Sequence, residues 1–317
     1  MSFPNPIVLH DVGMRDGLQM ESRTAPFDVK IRWIDLLMDA GVDAIQIGSF
    51  VHPDKVPQMA DTDRLFRHYR ERGKSNPDTI LSGLILNERG FERGLSCGVE
   101  LFCMGVSASE THSMKNTGMT VDDATKRIIA LAKSAQESGA RVQVSVQSAF
   151  GCGFEGKVAP ERVWSIVDQY LSAGLRIISM ADTAGHATPA AVERMFTGIF
   201  ERDNDVRCTC HFHNTYGLGL ANCYAAMRLG VNSFETSFAG LGGCPFTKVA
   251  AGNVCTEDFL DGLHRDGLRT DIRIDPLIRL AREAGVFFDR EMPGLVHKIG
   301  NLKSDVGHVQ PSHSTAQ

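Results

Sequence analysis

Short apolar runs of strand character alternate with segments of helical period along most of the chain. Ile7–Asp11 reads as a first strand, and Val29–Asp39 then places Ile31, Ile34, Leu37 and Met38 at helical spacing before Gly41. The same pattern predicts strands at Val42–Ile47, Thr79–Leu86, Val99–Val106, Arg141–Ser148, Leu175–Ala181, Val206–His211 and Val231–Ser237. Helices are predicted at Asp61–Arg72, Asn87–Ser96, Thr120–Gly139, Pro160–Ala173, Pro189–Arg202, Leu218–Leu229 and Thr256–Leu263. Thr120-Val-Asp-Asp123 resembles a capping box with Asp in its fourth position, and Pro160 is a favoured first-turn residue.

Glycine ends many of these helices just before the next strand, at Gly41, Gly139, Gly174 and Gly230. Eight strand–helix units in this order predict an α/β fold, a TIM (β/α)8 barrel with additional C-terminal helices. A doubly wound sheet is the alternative, but no GxGxxG follows the first strand. The expected organisation is a barrel over residues 1–270, a helical segment over 271–300 and a polar, disordered tail over 301–317.

Composition narrows the class without naming a chemistry. The 317 residues carry a net charge of −5, with 22% charged and 43% hydrophobic positions, an ordinary globular profile. Mild acidity gives no support for nucleic acid or a membrane surface as partner. No apolar run approaches the ~18 residues that span a bilayer. The Met1–Pro6 start lacks a basic segment and apolar core, so no secretory signal is expected. Eight scattered cysteines, none in a CxxC pair, point to free thiols in a reducing cytoplasm.

In a TIM barrel the active site lies at the C-terminal strand ends. Those ends here carry the chain's richest polar and glycine segments, beginning with His10-Asp-Val-Gly-Met-Arg-Asp-Gly-Leu-Gln19. His211-x-His213 is the strongest signal, because residues i and i+2 of a strand point to one side. If the first and seventh strands are parallel neighbours, Asp16, His211 and His213 converge. With Asn253 adding an amide oxygen, that set suits Mg²⁺ or Mn²⁺, though imidazoles also accept zinc. The two histidines could equally hydrogen-bond within a polar barrel mouth. Arg15 reads either as an ion-pair partner or as a cation aimed at a substrate carboxylate or enolate oxygen. Gly240-Leu-Gly-Gly-Cys-Pro-Phe246 is a flexible loop with one cysteine, Cys244, at a strand end. A lone cysteine is usually an inert small hydrophobe; its place between glycines favours an acid/base role. Gly151-Cys-Gly-Phe-Glu-Gly156 reads as a structural or substrate-covering loop.

These segments together resemble the 3-hydroxy-3-methylglutaryl-CoA lyase family, from about Ile7 to Asp261. The motifs are Val12-Gly-Met-Arg-Asp-Gly-Leu-Gln19, Ser49-Phe-Val-x-Pro53 with Val56-Pro-Gln-Met-Ala-Asp61, and Ser107-x-Ser109 through Lys115-Asn116. Ala181-Asp-Thr183, His211-x-His213 with Thr215-Tyr-Gly217, and Ala239-Gly-Leu-Gly-Gly-Cys-Pro245 follow in the expected order. The resemblance implies Asp16, His211, His213 and Asn253 as ligands of Mg²⁺ or Mn²⁺. It implies catalytic roles for Arg15, Asp182, His211 and Cys244 and for the position of Gln46, and substrate contacts from Arg15, Gln19, Ser107 and Asn116. The implied reaction is a retro-Claisen cleavage of an acyl-CoA to acetyl-CoA and a 3-oxo acid, by a homo-oligomer.

The chain departs from that family at three positions. Gln46 stands where the family has Glu, Gly48 where it has Thr, and Asn214 where it has Asp. The changes at Gln46 and Asn214 remove negative charge expected near the metal and imply a shifted substrate or weak activity on the usual ester. Two other functions are carried as alternatives: an acyl-CoA condensing transferase of the same superfamily, and a catalytically weakened barrel that binds CoA esters.

Overall fold

A computed structural model describes residues 6–243 and 252–300. Eight parallel strands close into a barrel in sequence order: β1 (Val8–Asp11), β2 (Ala44–Ser49), β3 (Ile80–Leu84), β4 (Leu101–Ser107), β5 (Arg141–Gln147), β6 (Ile177–Asp182), β7 (Arg207–Phe212) and β8 (Ser233–Thr236). The helices are α1 (Phe27–Ala40), α2 (Thr62–Arg72), α3 (Glu88–Cys97), α4 (Glu110–Thr117), α5 (Val121–Glu137), α6 (Pro160–Ser172), α7 (Pro189–Phe200), α8 (Gly219–Arg228), α9 (Thr256–Arg265), α10 (Ile274–Phe288) and α11 (Val296–Ile299). This is the TIM barrel that the alternation predicts, with α10 and α11 as its additional C-terminal helices.

Local signals act as expected at several boundaries. Gly41, Gly139, Gly174 and Gly230 all take φ between 80° and 95°, which a Cβ would strain. The Thr120 hydroxyl accepts from the Asp123 amide at 3.1 Å and donates to the Asp123 carboxylate at 2.8 Å. Two elements were not expected. Glu110–Thr117 is a separate helix, started by the Ser109 hydroxyl accepting from the His112 amide at 3.1 Å. Gly13–Gly17 forms a π-helical turn whose Asp16 and Gly17 amides both reach the Val12 carbonyl. Such single π turns commonly mark functional sites.

The apolar core lies between the barrel and its helices. Along β5, Val142, Val144 and Val146 face that layer, while Gln143, Ser145 and Gln147 face the barrel axis. Trp33 of α1 is 1% exposed and packs against Phe238, Phe287 and Phe288, which fastens α10 to the barrel. Barrel interiors are usually filled by branched aliphatic residues. Here one register line across five strands reads Gly105, Ser145, Ser179, Thr209 and Ser233, all small. A cavity of about 410 Å³ reaches down from the C-terminal mouth past Ser145 to Gln143.

Candidate active site

Asp16, His211 and His213 converge at the mouth of this cavity. They are the one group of three potential ligands found among the described residues, with ligand atoms all within 4.8 Å of one another. His211 Nε2 lies 3.2 Å from His213 Nε2, so residues i and i+2 do share a side. Asp16 Oδ2 stands 3.8 Å from His211 Nε2 and 3.6 Å from His213 Nε2. The expected route to this convergence needs correction, since β1 and β7 are not neighbours; β8 lies between them. Asp16 reaches the histidines because the π turn carries it across the end of β8.

Asn253 completes the cluster. Its Nδ2 donates to Asp16 Oδ2 at 2.9 Å and to the Leu241 carbonyl at 3.1 Å. Its Oδ1 is buried and has no hydrogen-bond partner among the described residues. An unpaired buried acceptor beside a carboxylate and two imidazoles is the pattern expected where a cation binds. The residues present fit a divalent metal with four protein ligands. Backbone pairing of His213 with Asn253 holds the two residues next to each other.

The charges around the cluster are set by burial and by close partners. Burial pulls the Asp16 carboxyl upward, but Arg15 and both histidines outweigh it and hold it well below the usual range. Burial lowers His213. It would lower His211 too, but the Glu235 and Asp16 carboxylates raise it. Arg15 donates through Nη1 to Asp16 Oδ1 and through Nε to Gln46 Oε1. The guanidinium lines the cavity and holds one anionic and one neutral partner.

Of the remaining candidates, Gln19, Ser107 and Asn116 all line the cavity. Gln19 donates to Asp16 Oδ1 at 3.1 Å, and Asn116 Nδ2 lies 3.1 Å from His112 Nε2. Asp182 is not among the cavity-lining residues, and the His211 charge acts on its carboxyl. Its carboxylate accepts from the His186 and Ala187 amides at 2.8 and 3.0 Å, and the cavity wall there is Ala181 and Thr183. Burial pushes it up to about 7 while those amides pull it down. Its place is in ordering the loop after β6. Cys244 lies outside the described residues, although Gly243 lines the cavity. The Gly151–Gly156 loop closes on itself between Cys152 and Gly156 and does not line the cavity.

The three departures have different consequences. Gln46 is 1% exposed and lines the cavity beside Arg15, so its missing charge is felt there. Gly48 faces α2, and a Cβ on it would overlap the Thr62 side chain. The Thr62 hydroxyl fills that space and accepts from the Ser49 amide at 3.2 Å. Asn214 is exposed, lies outside the cavity wall and accepts from the Gly219 amide at 3.0 Å at the start of α8. The change at Gln46 thus removes charge inside the cavity, and the one at Asn214 removes it outside the cavity wall.

Several cavity residues were not foreseen: Glu235, Gln143, Ser145, Ser179, Cys103 and His112. Glu235 was legible in principle, since a glutamate flanked by strand residues in a barrel must face either the axis or the apolar layer.

The HMGL-like family model matches residues 6–283. The (R)-citramalyl-CoA lyase of Chloroflexus aurantiacus is 34% identical over 96% of this chain and 98% of that enzyme. The 3-hydroxy-3-isohexenylglutaryl-CoA/hydroxymethylglutaryl-CoA lyase of Pseudomonas aeruginosa is 36% identical over 88% of this chain and 91% of that enzyme. The structure is similar to an HMG-CoA lyase from Acinetobacter baumannii in complex with coenzyme A and 3-methylmalate, with a TM-score of 0.87 and 35% identity. That match covers 96% of this chain and 98% of the other. An HMG-CoA lyase from Bacillus subtilis gives a TM-score of 0.89 at 30% identity, over 94% of this chain and 99% of the other. With the barrel, the converging ligands and the matched span in agreement, the chain belongs to the HMGL-like family of carbon–carbon lyases.

Proposed function

We propose that this acyl-CoA lyase cleaves 3-hydroxy-3-methylglutaryl-CoA or a related branched 3-hydroxyacyl-CoA, giving acetyl-CoA and a 3-oxo acid. The observation that carries the reading is the convergence of Asp16, His211, His213 and Asn253 Oδ1, which has no partner among the described residues, beside Arg15 at the mouth of the barrel cavity. A coenzyme A arm is too large for about 410 Å³, so it lies along the mouth past Lys55, Val56 and Asn116. The acyl end then enters the barrel, where Gln143, Ser145 and Gln147 offer hydrogen bonds to its oxygens.

Asp16, His211, His213 and Asn253 would hold Mg²⁺ or Mn²⁺, which when bound lowers the pKa of a nearby hydroxyl and draws charge from an oxygen. The chemistry asks three things of the chain's own groups. The substrate must be turned so that its C2–C3 bond can break as the 3-hydroxyl proton passes to a base, for which His211 and Asp182 are the candidate side chains. Electrons from that bond pass into the thioester, and the Arg15 guanidinium faces the enolate oxygen that results. A thiol then returns a proton to C2, a role that falls to Cys244 at the end of the glycine loop. Gly243, the residue before Cys244 in sequence, lines the cavity and supports that role.

Gln46 shifts the preferred ester away from 3-hydroxy-3-methylglutaryl-CoA, because a neutral amide can neither accept a proton as a base nor neutralise Arg15. A panel of branched 3-hydroxyacyl-CoA esters, citramalyl-CoA included, given to the purified protein with Mg²⁺ or Mn²⁺ tests both statements. Acetyl-CoA release from at least one ester is expected, with the 3-hydroxy-3-methylglutaryl ester not the best. Its rapid turnover as the best substrate would remove the proposed shift, and no release from any ester would remove the lyase reading. A homo-oligomer, implied by the family resemblance, is checked by sedimentation of the same preparation.

A further inference from the structure

A carboxylate inside the barrel does something that the reaction outlined above leaves unused. Glu235 is 7% exposed, and β7–β8 pairing sets it directly beside His211, while β8–β1 pairing sets it beside His10. Its Oε2 meets His211 Nδ1 at 2.8 Å and the Ser179 hydroxyl at 3.3 Å; its Oε1 takes the Gln143 amide at 2.5 Å. His10 Nδ1 lies farther off, 3.7 Å from Oε1, with its other nitrogen 2.7 Å from the Ser82 hydroxyl.

A buried carboxylate is costly without a cation. Among the described residues no lysine or arginine forms an ion pair with Glu235, and burial lowers His10 toward its neutral form. What remains is the ring of His211, which donates Nδ1–H to Glu235 and presents Nε2 to Asp16 and His213. Hydrogen bonding of one imidazole nitrogen to a carboxylate fixes the tautomer and aims the other lone pair at a metal. Resting on the metal-dependent reading above, we propose that Glu235 is the positioning residue that holds His211 as an Nε2 metal ligand, its charge being balanced by the divalent ion bound on the far side of the ring. Gln143 and Ser179 hold the carboxylate in turn, so the polar barrel floor serves the metal as well as the acyl group.

The test compares Mn²⁺ binding to the wild-type chain and Glu235→Gln by calorimetry, together with thermal unfolding of both metal-free proteins. Glutamine keeps the volume but removes the charge. Mn²⁺ affinity is expected to fall 10- to 100-fold, while the metal-free variant melts at the same temperature as wild type or higher. Equal Mn²⁺ affinity for the two proteins overturns the role of Glu235 alone. No Mn²⁺ uptake by wild type overturns the metal reading and this inference with it. A measurement on wild type alone guards against a variant that fails to fold. Nitrogen NMR of the His211 ring with Mg²⁺ should show Nδ1 protonated throughout and only Nε2 shifting; a shift at Nδ1 in its place contradicts the proposal.

Discussion

Asn253 donates its amide N–H to Asp16 Oδ2 at 2.9 Å while its own Oδ1 is buried with no hydrogen-bond partner among the described residues. The two residues come from opposite ends of the chain, and one hydrogen bond locks the π turn after β1 to the loop after β8. A side chain that orients one ligand and offers an oxygen beside it is hard to replace. Asn253→Ala is expected to weaken Mn²⁺ binding at least about tenfold, measured by calorimetry, with thermal stability reduced by no more than about 1–3 kcal/mol. Unchanged Mn²⁺ affinity would show that Oδ1 is not a ligand.

Gln46 holds Arg15 without a charge, and this contact is where the chain's own specificity is expected to lie. Gln46→Glu should raise kcat/KM on 3-hydroxy-3-methylglutaryl-CoA by about tenfold, equivalent to about 1.4 kcal/mol of transition-state stabilisation. The same change should give a smaller gain, or a loss, on the ester that wild type prefers. Equal factors on both esters would mean that Gln46 does not discriminate between them.

Thr62 and Gly48 share one space from opposite sides. Gly48→Thr alone should destabilise the protein by about 1–3 kcal/mol through overpacking, read by thermal or urea unfolding. Adding Thr62→Gly should recover most of that loss. If the double variant is no better than the single one, the exchange between strand and helix is not the reason for the glycine.

Asp182 supplies a pH signature. Burial raises its pKa from 3.8 to about 7, so the folded protein holds this proton more tightly than the unfolded chain does. Its contribution to stability is therefore full below pH 3.8, declines as pH rises toward about 7 and is flat above. Asp182→Asn has no such proton. The stability of wild type relative to this variant should fall between pH 4 and about 7 in urea unfolding. A difference that rises with pH would show an ionised carboxylate stabilised by the His186 and Ala187 amides.

The barrel was legible because periodicity and C-terminal glycines report local geometry, as Gly41 and Gly230 show with their positive φ. Asp16, His211, His213 and Asn253 were legible for a related reason: strand ends converge in any closed barrel. Their actual approach depends on the π turn at Gly13–Gly17, which no apolar pattern announces. Glu235 was missed because it sits inside a strand and not at its end; only strand register reveals that it lies under His211. For Asp182 the sequence shows a strand end but not that the His186 and Ala187 amides donate to its carboxylate. Thr62 standing in for a side chain at Gly48 is a long-range packing fact, invisible until α2 lies against β2.

The Asp16, His211, His213 and Asn253 cluster is expected to make this chain's acyl-CoA lyase reaction depend on a divalent metal. The most direct measurement follows acetyl-CoA released from its best 3-hydroxyacyl-CoA ester, before and after chelation, for wild type and His213→Ala. Release that stops on chelation, returns with added Mn²⁺ or Mg²⁺, and falls at least about 10³-fold in the variant, equivalent to about 4 kcal/mol, is the expected result. Release that survives both chelation and loss of His213 would contradict the account.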